Sequence, residues 1–369
     1  MHRTTTLRAT GLLAAGLMTA CAPAPDPPGD APRHHRVGGG FQNNHLGSDA
    51  KGVSDLLRWR WQALRKDLPP PPAQATPVVR PDLDFLHANA SAGVAMQPAL
   101  TWVGHSTVLA QLGGLNLITD PMFSERASPV SWAGPRRAQP PGVVLTELPR
   151  IDVVLLSHNH YDHCDVPSLR HLNAQPGGPP LFLVPLGLKA WMADIGITRV
   201  VELDWWQSHH VGATEFVFTP AQHWSGRGPL DRLATLWGGY AVFAPDQHLY
   251  FAGDTGYSPD FVDIATRFAG RQGDAGFDIA LIPVGAYEPR WFMAEQHVNP
   301  QEAVRIHQDL RARASMGIHW GSFALTDEPL DQPPRDLADA RRVAGLADEA
   351  FFVLAIGQTR KLPRRGPSQ

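Results

Sequence analysis

From residue 100 onward the chain alternates short apolar runs with breaks rich in Gly, Pro and Asp. Residues 100–103, 107–112 and 115–119 read as strands, because brief apolar and β-branched runs bounded by turn formers suit a pleated, buried element. Further strands are predicted at 151–156, 181–184, 200–203, 216–219, 249–252, 279–283 and 314–318, and helices around 188–195 and 300–310. Strands that are apolar on both faces and alternate with helices belong in sheets covered by helices, which is an α/β pattern.

One device recurs: an apolar run ends on a polar side chain. Asp120, His223, Asp254 and His319 each follow such a run, and 151–156 leads into Ser157-His158-Asn159-His160-Tyr161-Asp162-His163. That loop places three imidazoles and one carboxylate within six positions. A strand end is rigid, so the loop after it can hold side chains at fixed angles. Burying these groups unpaired would cost several kcal/mol in lost hydration. Metal binding removes that cost, and His-x-His-x-Asp-His carries enough nitrogen and oxygen donors for two ions. With His223, Asp254 and His319 the set reaches five histidines and two aspartates, enough for two sites of three or four ligands each. Asp120 is expected to orient a ligand histidine or to cap the turn before Pro121.

The N-terminal region has a different pattern. Arg3 and Arg8 precede an apolar stretch, 11–18, too short to span a bilayer but suited to the core of a secretory signal. Leu17-Met18-Thr19-Ala20-Cys21 resembles the cleavage site of bacterial lipoproteins, with Cys21 the acylated residue. The expected organisation is a signal peptide over 1–20, a Pro/Gly-rich tether over 21–40, an N-terminal extension over 41–99 packed on the main domain, and a catalytic domain over 100–362. The expected location is the cell envelope, periplasm-facing and anchored through Cys21. Ala22 in place of an aspartate favours the outer membrane of a Gram-negative cell. His34 and His35 lie in the tether without an assigned role. Ser54, Leu56, Leu57, Trp61, Leu64 and Leu68 pattern a capped amphipathic helix with Arg58, Arg60, Arg65 and Lys66 among its polar positions. Packing on the main domain is the expectation for it, and contact with lipid the alternative.

Composition narrows the function. The chain has 369 residues, 43% of them hydrophobic, and can bury a sizeable core. A formal net charge of -3 and the lack of a basic stripe argue against nucleic acid as a partner. Two cysteines, Cys21 and Cys164, do not make a disulfide framework, and Cys164 is expected to be a small packing residue.

The ligand series is similar to that of the metallo-β-lactamase superfamily, whose fold is a four-layer αββα sandwich. Longer strings narrow the likeness: Thr101-Trp102-Val103-Gly104-His105-Ser106-Thr107-Val108, Glu202-Leu203-Asp204-Trp205-Trp206, Gln222-His223-Trp224, Phe251-Ala252-Gly253-Asp254-Thr255-Gly256-Tyr257 and Gly285-Ala286-Tyr287-Glu288-Pro289-Arg290-Trp291-Phe292-Met293. They resemble the N-acyl-phosphatidylethanolamine-hydrolysing phospholipase D family, and the likeness runs from about residue 41 to 360. The resemblance implies two zinc ions, one held by His158, His160 and His223, the other by Asp162, His163 and His319, with Asp254 bridging. Such ligands also accept iron or manganese. A water between the cations would be acidified from a pKa of about 15.7 toward roughly 7, and the resulting hydroxide would attack phosphorus.

By the same resemblance Asp162, Asp254 and Tyr161 take catalytic roles, Gln296 and His297 meet the head group, and Arg227 meets the phosphate. Gly226 stands where a second basic residue is frequent in the family. The products implied are phosphatidic acid and an N-acylethanolamine. The implied partners are a phospholipid substrate, a membrane through Cys21 and a second copy of the chain. Two alternatives stay open: a lactonase or other ester or amide hydrolase with the same metals, and a non-catalytic metal- or lipid-binding envelope lipoprotein.

Overall fold

The computed structural model describes residues 32–46, 51–272 and 276–365. Strands β1 (Ala99–Gly104), β2 (Thr107–Leu112) and β3 (Leu115–Thr119) pair antiparallel, and β4 (Val153–Leu155), β5 (Leu181–Pro185) and β6 (Val200–Leu203) extend the sheet in parallel. A second sheet holds β7 (Ser208–Val211), β8 (Thr214–Thr219), β9 (Gly239–Ala244), β10 (Gln247–Phe251), β11 (Ile279–Pro283), β12 (Ser315–Ile318) and β13 (Phe351–Phe352). The last strand, β14 (Thr359–Lys361), returns to the free edge of β1, so each sheet has seven strands. The fold is the expected αββα sandwich.

Alternation along each strand explains the layers. In the first sheet Val108, Ala110, Leu117, Val153, Leu155 and Leu183 face the second sheet, where Phe216, Phe218, Tyr240 and Phe251 meet them. Their neighbours Leu109, Ile118, Val154, Phe182 and Val184 point the other way. Helices α2 (Leu83–Ala90), α3 (Val166–Asn173) and α4 (Lys189–Asp194) cover that outer face with Leu86, Leu169, Leu172 and Met192. On the far side α5 (Asp260–Gln272), α7 (Pro300–Asp309) and α8 (Gln332–Ala344) add Phe261, Ile264, Val304, Ile306 and Leu337 to the main core. Because both faces of the central strands are buried, a slip of one residue would exchange two packed surfaces, so the register is strongly specified.

Four strands were not expected from the pattern: β9 and β13, which are buried throughout, and β7 and β14. The last two are edge elements, Ser-His-His-Val and Thr-Arg-Lys, with half-exposed or exposed side chains, and ladder hydrogen bonds rather than apolar burial define them.

The N-terminal region differs from its expectation in two places. Cys21 and the signal lie outside the described residues, but the described end of the expected tether, 32–40, is docked on the catalytic domain. His34 Nε2 and His35 Nε2 lie 2.6 and 2.7 Å from the two oxygens of Asp204, and His34 stacks on Trp205. Gly40 lets the chain turn close to the body: its φ is +80°, and a Cβ there would sit 2.6 Å from the Leu233 carbonyl oxygen. The amphipathic helix is α1 (Val53–Lys66), and it packs only in part. Trp59 and Ala63 are buried, and Trp59 stacks on Phe292 of the short α6 (Arg290–Met293) and donates to Asp327. Leu57, Trp61 and Leu64 stay exposed. Among the described residues no helix is long and apolar enough to cross a membrane.

The Asp204 clasp carries a pH prediction. Burial raises the Asp204 carboxyl, but the bonds from His34, the Trp205 N–H and His35 outweigh it and hold the group below its ordinary value. A depressed folded pKa contributes stability above the unfolded value of about 3.9, and that contribution is lost as pH falls through the folded value. Amide exchange over 34–43 should therefore quicken in wild type only below about pH 4. In Asp204→Ala it should already be faster at pH 7, by an amount equivalent to about 1–3 kcal/mol.

Candidate metal centre

Six strand ends converge on one edge of the sandwich. β1 leads to His105, β3 to Asp120, β4 to the 157–163 loop, β8 to His223, β10 to Asp254 and β12 to His319. Sharp backbone turns follow three of these strands, where His105, Asp120 and His319 have φ of 54°, 32° and 60°. Left-handed backbone at non-glycine residues is costly and persists where surrounding contacts over-determine it. Gly253 serves the same convergence. Its φ is +62°, and a Cβ there would lie 2.7 Å from both Ser157 Cβ and the Gly238 carbonyl oxygen.

The side chains form two groups around one carboxylate. Asp254 Oδ2 is 3.1 Å from His163 Nε2 and His319 Nε2, and 3.9 Å from His158 Nε2 and His223 Nε2. Asp162 Oδ2 joins the first pair at 3.3 and 3.4 Å. His160 Nδ1 joins the second at 2.8 Å from His158 Nε2 and 3.3 Å from His223 Nε2. The seven residues expected as ligands are therefore together, partitioned as the resemblance implied. Five are buried, and His160 and Asp162 are half-buried on the wall of a cavity.

The partners behind these ligands decide which nitrogens face inward. Asp120 accepts from the Ser157 N–H at 2.7 Å, the Ser157 hydroxyl at 2.5 Å and His163 Nδ1–H at 2.7 Å. Since that hydroxyl proton points to Asp120, His158 donates its Nδ1–H to Ser157 Oγ at 2.8 Å. His223 Nδ1–H goes to the Gln296 carbonyl at 2.9 Å. Each assignment leaves the Nε2 lone pair of a histidine aimed at the centre.

These lone pairs test whether metal fits. His160 Nε2, His163 Nε2, His319 Nε2 and Asp254 Oδ1 are buried without a hydrogen bond. Orphaned acceptors of this kind are costly in a protein interior and are satisfied by cations. Protonation energetics point the same way. Burial holds His158 well below the ordinary imidazole value, His160 at about 3 and His223 at about 4, so all three are neutral ligands. Burial also acts to lower His163 and His319, but the Asp254 and Asp162 carboxylates raise the first well above its usual value and the second to about 9. The two carboxylates demand positive charge there, and a divalent cation supplies it. An imidazole and carboxylate set without thiolate suits zinc and also iron or manganese.

The expected substrate contacts divide. Gln296 and His297 line a cavity of about 340 Å³ together with His160, Asp162 and Asp254. Arg227 and Tyr161 do not. The Arg227 guanidinium donates to the carbonyls of Asn159 and Cys164, both at 2.8 Å, and lies 4.0 Å from the Tyr161 ring, while the Tyr161 hydroxyl donates to the Arg227 carbonyl. Both line a second cavity, beside Ser124, Asp165 and Pro167, rather than the one that Gln296 and His297 share with Asp254. Cys164 is buried, and burial pushes its thiol up to about 12, as suits a packing residue.

Two participants were missed. His105 Nε2 lies 3.0 Å from Asp162 Oδ2 and orients that ligand. It ends an apolar run like the ligands do, and that signal would have found it. Asn43 left no local signal. Its side chain donates to the His223 carbonyl at 2.9 Å and accepts from the His223 N–H and Trp237 Nε1, both at 3.0 Å.

Loss of an orienting partner typically weakens metal affinity about 10–100-fold. Asp120→Asn and Asn43→Ala should each show that loss in chelator competition, with the αββα circular dichroism retained. Arg227→Met should lower stability by about 1–3 kcal/mol in thermal unfolding, through the lost carbonyl partners, with KM little changed.

Known proteins agree with this geometry. Residues 115–320 match the family model described as the beta-lactamase superfamily domain. The chain is 42% identical over 272 residues, 70% of this chain and 74% of the relative, to N-acyl-phosphatidylethanolamine-hydrolyzing phospholipase D 1 of Caenorhabditis elegans. It is 35% identical over 301 residues, 79% of this chain and 63% of the relative, to the mitochondrial enzyme of that name from Saccharomyces cerevisiae. Among solved structures it resembles isothiocyanate hydrolase from Delia radicum gut bacteria, with a TM-score of 0.57, 20% identity, and coverage of 72% of this chain and 99% of that one. The converging strand ends, the two His/Asp groups and these likenesses together place the chain in the metallo-β-lactamase superfamily, as a metal-dependent hydrolase of the branch that includes the N-acyl-phosphatidylethanolamine-hydrolysing phospholipases D.

Proposed function

We propose that the protein hydrolyses the phosphodiester of an N-acyl-phosphatidylethanolamine or a related phospholipid, with zinc in both sites. The observation that carries this reading is the mixed lining of one cavity. His160, Asp162 and Asp254 share its wall with apolar Val53, Leu56, Trp59, Phe292, Met293 and Leu325 and with polar Lys51, Arg232, Gln296 and His297. A phosphodiester joined to acyl chains matches that combination of chemistry. The names of the nematode and yeast relatives support the same substrate class.

When bound, zinc supplies Lewis acidity that neutralises charge on the phosphodiester oxygens. The protein's own groups account for orientation and proton handling. His105 fixes the direction of the Asp162 carboxylate, which reaches the cavity and can accept the proton of a water attacking phosphorus. The new bond joins water oxygen to phosphorus, and the bond from phosphorus to the ethanolamine oxygen breaks. Phosphatidic acid keeps the phosphate, and the leaving oxygen takes a proton to give the N-acylethanolamine. His297 Nδ1 lies 3.9 Å from Asp254 Oδ2 and makes no hydrogen bond, which leaves it available to the head group beside Gln296. Lys51 and Arg232 supply positive charge to the same cavity. Acylation of Cys21 would keep this site near its substrate in the outer membrane, because tethering raises local concentration.

The test is product analysis by mass spectrometry after the zinc-loaded protein meets N-acyl-phosphatidylethanolamine in mixed micelles. Release of phosphatidic acid and N-acylethanolamine, falling more than about a hundredfold in Asp254→Asn, is the expected result. Untouched lipid alongside cleavage of an ester or lactone panel would overturn it in favour of an ester, lactone or amide hydrolase.

A further inference from the structure

Arg232 stands on the wall of the metal cavity, in the segment between His223 and β9. That segment is held from both sides of the arginine. The Asp231 carboxylate accepts from the N–H groups of Arg227 and Gly228, at 2.9 and 2.7 Å. Leu233 donates its N–H to the Ser225 carbonyl at 2.8 Å, and its own carbonyl accepts from the Phe41 N–H at 2.9 Å. Its φ of 62° is a left-handed backbone of the kind that persists where surrounding contacts over-determine it. An indole then places the side chain between these two anchors. Arg232 Cζ lies 4.5 Å from the Trp224 ring centroid, and the Trp224 ring meets the ring of His160, a candidate metal ligand, at 4.1 Å. The guanidinium is therefore one indole away from the metal centre. Stacking fixes the plane of a guanidinium and leaves its N–H edge free to donate.

We propose that Arg232 is the residue that recognises the phosphoryl group of the substrate in this cavity. Lys51, the other cation of the wall, already has a counter-ion, since its Nζ lies 3.4 Å from Glu295 Oε1. Among the described residues no carboxylate pairs with Arg232: burial lowers its guanidinium from the ordinary value, and no acidic neighbour counters that. A partly desolvated cation without a counter-ion is a donor set for an anion from solution. The planar fork of a guanidinium matches two non-bridging oxygens of a phosphodiester, whereas a carboxylic ester or a lactone brings it no negative charge. Arg227, the arginine expected in this role, lines the other cavity and commits Nη1 to the Asn159 and Cys164 carbonyls. The inference rests on the phosphodiesterase reading for the identity of the anion, and it adds the side chain that reads that anion.

The experiment uses the zinc-loaded full chain with soluble bis(para-nitrophenyl) phosphate as substrate, inorganic phosphate as competitor and para-nitrophenyl acetate as the neutral substrate. Arg232→Gln should raise KM for the phosphodiester and the inhibition constant of phosphate by at least about tenfold, with kcat within about threefold of wild type. Arg232→Lys, which keeps the charge but not the fork, should recover part of that loss. The ratio of kcat/KM for the phosphodiester to that for the acetate should fall at least about tenfold in Arg232→Gln, and the decline of phosphodiester kcat/KM with rising salt should become shallower. Both variants should keep the wild-type zinc content by elemental analysis. Unchanged KM and phosphate inhibition in Arg232→Gln would overturn the proposal. So would equal losses on the phosphodiester and the acetate, which mark a general change of the cavity, or a loss of zinc, which assigns the residue to the metal centre instead. If wild type cleaves only the acetate, the phosphodiesterase reading fails and phosphate inhibition of acetate hydrolysis decides: a tenfold weakening in Arg232→Gln sustains phosphoryl recognition, and an unchanged inhibition constant overturns it.

Discussion

The centre of this structure is the buried carboxylate of Asp254, with one oxygen 3.1 Å from two imidazole nitrogens and the other without a hydrogen bond. A carboxylate in a protein interior is tolerated only when opposite charge is built around it. Here His163 and His319 stand beside it together with a second carboxylate, Asp162, while the neutral His158, His160 and His223 lie on the other side, so cations between the two groups would supply the balancing charge. That requirement makes the arrangement a site for cations. Four of these residues come from the loop after β4 in one sheet, and His223, Asp254 and His319 follow three strands of the other, so the two sheets must be packed together before the centre exists.

Rigidity at the centre is paid for in the layers behind it. Asp120 gathers Ser157, His158 and His163 into one hydrogen-bonded chain, although its own backbone is left-handed. Gly253 allows the Asp254 turn to lie against Ser157. Arg227 Nη1 donates to the Asn159 and Cys164 carbonyls at both ends of the metal loop, and the Tyr161 hydroxyl donates to the Arg227 carbonyl. Function is confined to the cavity side of that loop, where His160 and Asp162 meet Gln296 and His297.

The N-terminal region completes the site rather than merely carrying it. Its clasp at Asp204 holds residues 34–41 on the body, and two residues later Asn43 bonds both the N–H and the carbonyl of His223. Helix α1 then supplies one wall of the cavity through Val53, Leu56 and Trp59. An extension outside the αββα sandwich therefore contributes both to the positioning of His223 and to the wall of the cavity.

By itself the sequence determined most of the strands that are buried on both faces, though not β9, and the polar residues that end several of them, including the seven candidate ligands, because periodicity and strand-end position are local properties of the chain. His105 obeyed that rule and was readable by it. The sequence could not assign Asn43, which meets His223 across 180 residues, nor the His34 and His35 contacts with Asp204. Arg227 and Tyr161 looked like substrate contacts because a guanidinium and a phenol beside a metal loop have that chemistry. Only the tertiary structure shows that Arg227 Nη1 and the Tyr161 hydroxyl donate to backbone carbonyls and that both side chains line a second cavity. It likewise decided which face of α1 is buried, since an amphipathic pattern specifies a stripe while the surface that covers it depends on what the rest of the fold places opposite.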